Sequence, residues 1–97
     1  MAYEVTFTPS SRKAFRRIGR VYHARLADRI RALANDPYPP GVATLDNAIK
    51  MYRLRVGSYR IIYQVREKER IILVLKVAAR ADAYRQLEQI RRLARRR

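Results

Sequence analysis

Met51–Arg66, MYRLRVGSYRIIYQVR, is the stretch that decides the fold. Two runs, Met51–Val56 and Tyr59–Arg66, alternate with period two on either side of Gly57-Ser58. Alternation of this kind marks half-buried strands. A glycine at the first central position suits a two-residue hairpin turn, and such a turn fixes the register. Val56 then faces Tyr59, Leu54 faces Ile61 and Tyr52 faces Tyr63, an apolar face that requires helices against it. On the other face Arg55 lies opposite Arg60, and Arg53 opposite Ile62. Like charges directly opposed on a sheet destabilise it by roughly 0.2–1 kcal/mol per pair. A phosphate held between them turns that repulsion into charge-assisted contacts. The alternatives are arginines splayed into solvent, or one of them bonded to a loop carboxylate such as Asp46. A slip of one residue would exchange the two faces.

Downstream, Ile71–Ala78 (IILVLKVA) is a nearly continuous apolar run, the pattern of a central strand. Its single charge, Lys76, belongs on the arginine face. That reading turns Ile71, Leu73, Leu75 and Val77 toward the helices and requires an odd register offset in the Glu67–Arg70 loop, such as a bulge supplies. Arg80 then points the same way as Lys76. A last helix is predicted over Asp82–Ala94, with Asp82 as cap or first-turn acid. Its apolar stripe is Ala83, Leu87, Ile90 and Ala94, Glu88 pairs with Arg92, and the tail Arg95–Arg97 frays.

Upstream, Tyr3–Thr8 reads as a strand that Pro9 stops. Ser10 or Ser11 caps a short helix to Ile18, with Ala14, Phe15 and Ile18 on one face, and Gly19 breaks it. Tyr22, Leu26, Ile30 and Leu33 form the core stripe of a longer helix over Val21–Asn35. Three prolines exclude regular structure from Asp36 to Gly41, so Asp36–Ala48 is predicted to be loop. The expected architecture is α+β. An N-terminal strand and an αα-hairpin precede a three-stranded antiparallel meander and a C-terminal helix. The sheet has four strands, with the helices mainly on one face.

The chain has 97 residues, enough for one compact domain. It has no cysteine and one histidine, so a disulfide framework or zinc-thiolate site is excluded and no metal or cofactor is expected. No apolar run nears the roughly 18 residues of a membrane span, and MAYEVTF does not read as a signal peptide. A cytoplasmic protein is expected. Lys and Arg number 23 against 8 Asp and Glu, a formal charge of +15. All but four of the 23 are arginine, the side chain whose planar fork binds two phosphate oxygens at once. A polyanion or an acidic protein is the expected partner.

With these residues in view, the hairpin YRLRVGSYRIIYQV (Tyr52–Val65) resembles the central hairpin of RelE/ParE-type toxins. VAARADAYR (Val77–Arg85) resembles the arginine-then-tyrosine segment that closes the RelE-type site, and YEVTFTPSSRKAFRRI resembles the family's opening strand and basic helix. The resemblance implies that residues 1–97 form a single RelE-like toxin domain of a type II toxin-antitoxin system. It implies cleavage of mRNA on the ribosome, and a cognate antitoxin as protein partner. The family's basic hairpin pair falls on Arg53 and Arg55, where its best-known form has lysines. The next arginine falls on Arg60, the one ending the last core strand on Arg80, and the tyrosine on Tyr84. Relatives often carry histidine or lysine where this chain has Ala79.

The implied chemistry is attack of a ribose 2′-OH on the adjacent phosphorus, with no metal. Charge gathers on the phosphoryl oxygens, which preorganised arginines stabilise. Arg60 and Arg80 are the candidates for that role. Arginine does not deprotonate readily, so Arg53 and Arg55 are poor bases; the resemblance still counts both among the catalytic residues, and both are expected to contact substrate together with Lys76 and Arg85. Tyr84 is the proton-transfer candidate; it can also stack on a base or pack on the sheet. His23 lacks a catalytic companion, and Tyr52, Tyr59 and Tyr63 belong to the core. RRLARRR at the C-terminus is a solvated end or an RNA contact. The competing readings are a ParE-like gyrase inhibitor and a non-catalytic RNA-binding module.

Overall fold

Thr8 ends the first strand and begins the first helix. In the computed structural model, which describes residues 2–80 and 82–95, its Oγ1 accepts from Ser11 N at 3.2 Å. Pro9 occupies the first turn, where its missing N–H costs nothing. Thr8, not Ser10 or Ser11, is therefore the cap. The element order is β1 (Glu4–Phe7), α1 (Pro9–Arg16), α2 (Arg20–Ala32), β2 (Ala43–Asp46), β3 (Met51–Val56), β4 (Tyr59–Arg66), β5 (Ile71–Ala79) and α3 (Leu87–Arg95).

The sheet runs β1-β5-β4-β3-β2. β1 is parallel to β5, and the other pairs are antiparallel. It has five strands rather than the expected four. Ala43–Asp46, inside the predicted loop, pairs with β3 through Ala43↔Arg53, Thr44↔Tyr52 and Asp46↔Met51. Four residues are too few to display a period, but they cover what is otherwise an unpaired edge of β3. The β3–β4 register is as expected, including Arg55↔Arg60 and Arg53↔Ile62.

Two apolar clusters sandwich the sheet. On one face Leu26, Ile30 and Leu33 meet Tyr52, Leu54, Val56, Ile61, Tyr63, Val65, Ile72, Val74 and Val77, with Phe15 and Ile18 at the margin. α1 and α2 lie here, and Leu26, Ile30 and Leu33 of the expected stripe are buried; Tyr22, its fourth member, is instead exposed at the start of α2, with its ring against Tyr59. On the other face Ile90 and Ala94 of α3 cover Met51, Ile62 and Leu75. α3 thus shields the apolar end of the arginine face and leaves its basic end open.

β5 departs from the expected orientation in its first half. Register shifts between Tyr63↔Val74 and Ile62↔Lys76, so Leu75 is an extra residue in the strand. Ile72 and Val74, not Ile71, Leu73 and Leu75, face α2; beyond the bulge Val77 faces it as expected. The bulge lies within the strand instead of the preceding loop, and it puts Lys76 on the arginine face. Ser11 Oγ donates to Val74 O at 2.8 Å, and Thr8 N donates to the same carbonyl at 3.1 Å. The start of α1 thereby supports the bulge where β1 has ended.

α3 begins at Leu87, five residues after the expected Asp82. Residues 82–86 are turns, closed by Gln86 at φ 59°. Lys76 Nζ donates to Arg85 O at 2.9 Å, and Asp82 pairs with Arg85 at 3.4 Å instead of capping a helix. Of the expected stripe, Ala83, Ile90 and Ala94 are buried. Glu88 pairs with Arg91 at 2.7 Å, not with Arg92. Arg95, expected to fray, is the last residue of α3; the expected fraying of Arg96 and Arg97 lies outside the described residues. No helix among the described residues is long and apolar enough to cross a membrane.

Candidate functional site

Arg53, Arg55, Arg60, Arg80 and Tyr84 line a single cavity of about 240 Å³ at the hairpin-turn end of the sheet. Strand alternation brings them there. Arg53 and Arg55 share a face of β3, Arg60 lies opposite Arg55, and β5 delivers Arg80 beyond its bulge. Arg80 N donates to Ser58 O at 2.7 Å, which ties the end of β5 to the hairpin turn. No residue pattern marks a backbone carbonyl as a tether, so the sequence carries no signal of this anchor.

The arginines are held differently. Arg60 is only 5% exposed, and its Nη1 donates to Gly57 O at 3.0 Å and to Tyr59 O at 2.9 Å. Two acceptors from its own turn fix that guanidinium. Arg55 is exposed. Arg53 donates through Nη1 to Tyr84 Oη at 2.9 Å. Arg53 Nε is shielded from solvent and has no hydrogen-bond partner among the described residues. A buried donor left unpaired costs roughly 1–3 kcal/mol, so the site favours an acceptor there. Tyr84, 41% exposed, presents its ring and hydroxyl at the cavity wall.

Among the described residues, no carboxylate lies within ion-pair distance of these four arginines. Asp46, the alternative partner expected from a loop, ends β2 and accepts from Arg91 Nε at 3.2 Å and from Ala48 N at 3.1 Å. Among the described residues the cluster is thus an uncompensated positive site, with Arg60 held on its own turn, Arg53 bonded to Tyr84 and Arg55 exposed. Its donors match a tetrahedral oxyanion.

Two predicted substrate contacts are not in the cavity. Lys76 is on the same face, but its ammonium is spent on the Arg85 carbonyl. Burial pushes the Lys76 ammonium below its ordinary value; Asp82 opposes that shift and Arg85 adds to it. Arg85 points to Asp82. The pair positions the turn that carries Tyr84. His23 stacks on Phe15 at 4.1 Å, away from the site. Tyr52 and Tyr63 are buried in the core and Tyr59 packs against it. Among the described residues no group of three His, Asp or Glu side chains gathers as a metal site requires.

The model of the family described as "ParE toxin of type II toxin-antitoxin system, parDE" matches residues 5–84. The chain is 27% identical to Toxin RelG of Mycobacterium tuberculosis over 86 residues, 88% of this chain and 99% of that one. The archaeal RelE-RelB complex from Pyrococcus horikoshii OT3 contains a chain of similar structure, with a TM-score of 0.76 and 30% identity over 86% of this chain and 100% of that one. The isolated E. coli RelE toxin shares the fold with a TM-score of 0.74 at 20% identity, covering 95% of this chain and 99% of that one. The chain belongs to the ParE toxin family of type II toxin-antitoxin systems, within the RelE/ParE superfamily.

Proposed function

We propose that the protein is an endoribonuclease that cleaves mRNA on the ribosome, with the arginine cavity as its site. The observation that supports this most is the gathering of four arginines and a tyrosine around one cavity with no carboxylate paired to any of them among the described residues. A surface that only bound an acidic protein has no need of a guanidinium locked on its own turn, as Arg60 is. Preorganised donors of that kind stabilise charge that develops during reaction.

In the proposed step the 2′-oxygen bonds to phosphorus and the bond from phosphorus to the 5′-oxygen breaks. The proton lost by the 2′-OH is balanced by the one the 5′-oxygen gains. The products are a 2′,3′-cyclic phosphate and a 5′-OH. Arg60 and Arg80 hold the phosphoryl oxygens, Arg53 and Arg55 hold the substrate, and Tyr84 relays the proton. Arg53 orients Tyr84 by donating to its oxygen, which leaves the phenolic O–H free to point at substrate. A cognate antitoxin, acidic where this chain is basic, is the proposed protein partner.

The match to a family named for ParE toxins supports a second reading, a ParE-like toxin, for which the resemblance implies gyrase as the target. Expression of wild type and Arg80→Ala in cells, with translation and supercoiling assays side by side, separates the two. The nuclease reading expects translation to stop, supercoiling to persist and Arg80→Ala to be harmless. Inhibited supercoiling with intact mRNA would establish the second reading.

A further inference from the structure

Gly57 is approached from both sides of the sheet. From the cavity side, Arg60 Nη1 reaches its carbonyl at 3.0 Å. From the helix side, the guanidinium of Arg25 lies over the turn. A Cβ built on Gly57 would sit 3.8 and 3.9 Å from Arg25 Nη1 and Nη2, and 3.5 Å from Tyr22 Cε1. Arg25 is exposed, and no carboxylate pairs with it among the described residues. Its contact is the ring of Tyr22, 5.6 Å from guanidinium carbon to centroid. Tyr22 is 37% exposed and rests on Tyr59 at 5.1 Å.

We infer that Arg25 and Tyr22 form a second contact for the RNA strand, where nucleotides flanking those in the arginine cavity pass over the hairpin tip onto α2. This rests on the nuclease reading and extends it. Three observations carry it. The tip between the two guanidinium groups is Gly57-Ser58, the least bulky path across the end of the sheet. Arg25 is an unpaired cation held by an aromatic ring, which fixes it without neutralising it. Tyr22 offers a supported, partly open ring beside that cation, the pairing of stacking surface and phosphate donor that single strands use. The rest of the helical hairpin extends the same field: besides Arg25, residues 9–32 carry Arg12, Lys13, Arg16, Arg17, Arg20 and Arg29, while Arg31 is paired with Asp28.

The test is binding of labelled single-stranded RNA by the full chain, for a short RNA of about four nucleotides and one of about twelve, lengths that bracket common single-strand site sizes. Arg25→Ala is expected to lower the affinity advantage of the longer RNA about tenfold, and to reduce the salt slope for it by about 0.7, one phosphate contact. Arg25→Lys restores part of the slope. Arg31→Ala removes one charge from the same helix, where Arg31 is paired with Asp28, and keeps the wild-type advantage. Equal losses in Arg25→Ala and Arg31→Ala, or no loss in either, overturn the inference and leave the cavity reading standing. Failure of wild type to bind either RNA overturns the cavity reading as well.

Discussion

Arg55 and Arg60 are direct cross-strand partners, yet one is exposed and the other is 5% exposed with its Nη1 on the carbonyls of Gly57 and Tyr59. The pair resolves its repulsion by sending one charge into the turn and leaving the other in solvent. The division makes the consequences of mutating them opposite in sign.

Arg60→Ala removes a charged donor from two carbonyls. The expected loss is roughly 1.5–3 kcal/mol per the usual worth of such bonds, read as a lower urea midpoint with an unchanged slope. Arg60→Lys recovers part of the stability, since a single ammonium replaces the fork. An unchanged midpoint in Arg60→Ala would contradict the anchoring role.

Arg55→Ala relieves the like-charge pair without breaking a hydrogen bond. Stability is expected to rise by roughly 0.2–1 kcal/mol, while RNA affinity falls. The gain shrinks as salt is added, because an exposed charge is screened. Thermal unfolding at low and high ionic strength, beside RNA titration, checks both halves.

Tyr84→Phe deletes the hydroxyl that accepts from Arg53 and leaves the ring in place. RNA binding is expected to persist, and cleavage to fall by roughly 10²–10⁴, the usual contribution of a proton-transfer group. Equal cleavage by Tyr84→Phe and wild type would reassign Tyr84 to base stacking.

Tyr63 is fully buried, and its hydroxyl donates to Pro37 O at 2.7 Å. Burial first, then Tyr52 and Asp36, push its phenol well above the ordinary tyrosine value. The folded chain therefore keeps this proton at a pH where the unfolded chain sheds it. Its contribution to stability is full below about pH 10 and declines above that by up to about 1.4 kcal/mol per pH unit. Tyr63→Phe should flatten the alkaline limb of the stability curve. An alkaline limb as steep as that of wild type would refute the assignment.

The hairpin was legible because its turn and its alternation agree, and each fixes the other's register. Arg53, Arg55 and Arg60 followed from that register alone. Arg80 was legible through the direction of Lys76 and through the family resemblance, and the strand's route to it differs from the expected one. The strand stores its extra residue at Leu75, supported by the Val74 carbonyl's bonds to Thr8 and Ser11. Nothing local marks that position, because the support comes from residues far away in sequence. β2 was illegible for a similar reason: Ala43–Asp46 is extended because β3 lies beside it, not because of its own composition. The late start of α3 reflects Lys76 and Asp82 holding the turn at Arg85, again a tertiary contact. Arg25 lay off the apolar stripe of its helix and gave no signal until Gly57 was found beneath it.

In the proposed reaction the arginine cavity cuts RNA through the substrate's own 2′-OH. The most direct test is product analysis of mRNA incubated with translating ribosomes and the purified chain. The account predicts fragments ending in 2′,3′-cyclic phosphate and beginning with 5′-OH, formed by wild type and lost in Arg80→Ala. Intact mRNA with wild type, or cleavage by Arg80→Ala at the wild-type rate, would contradict it.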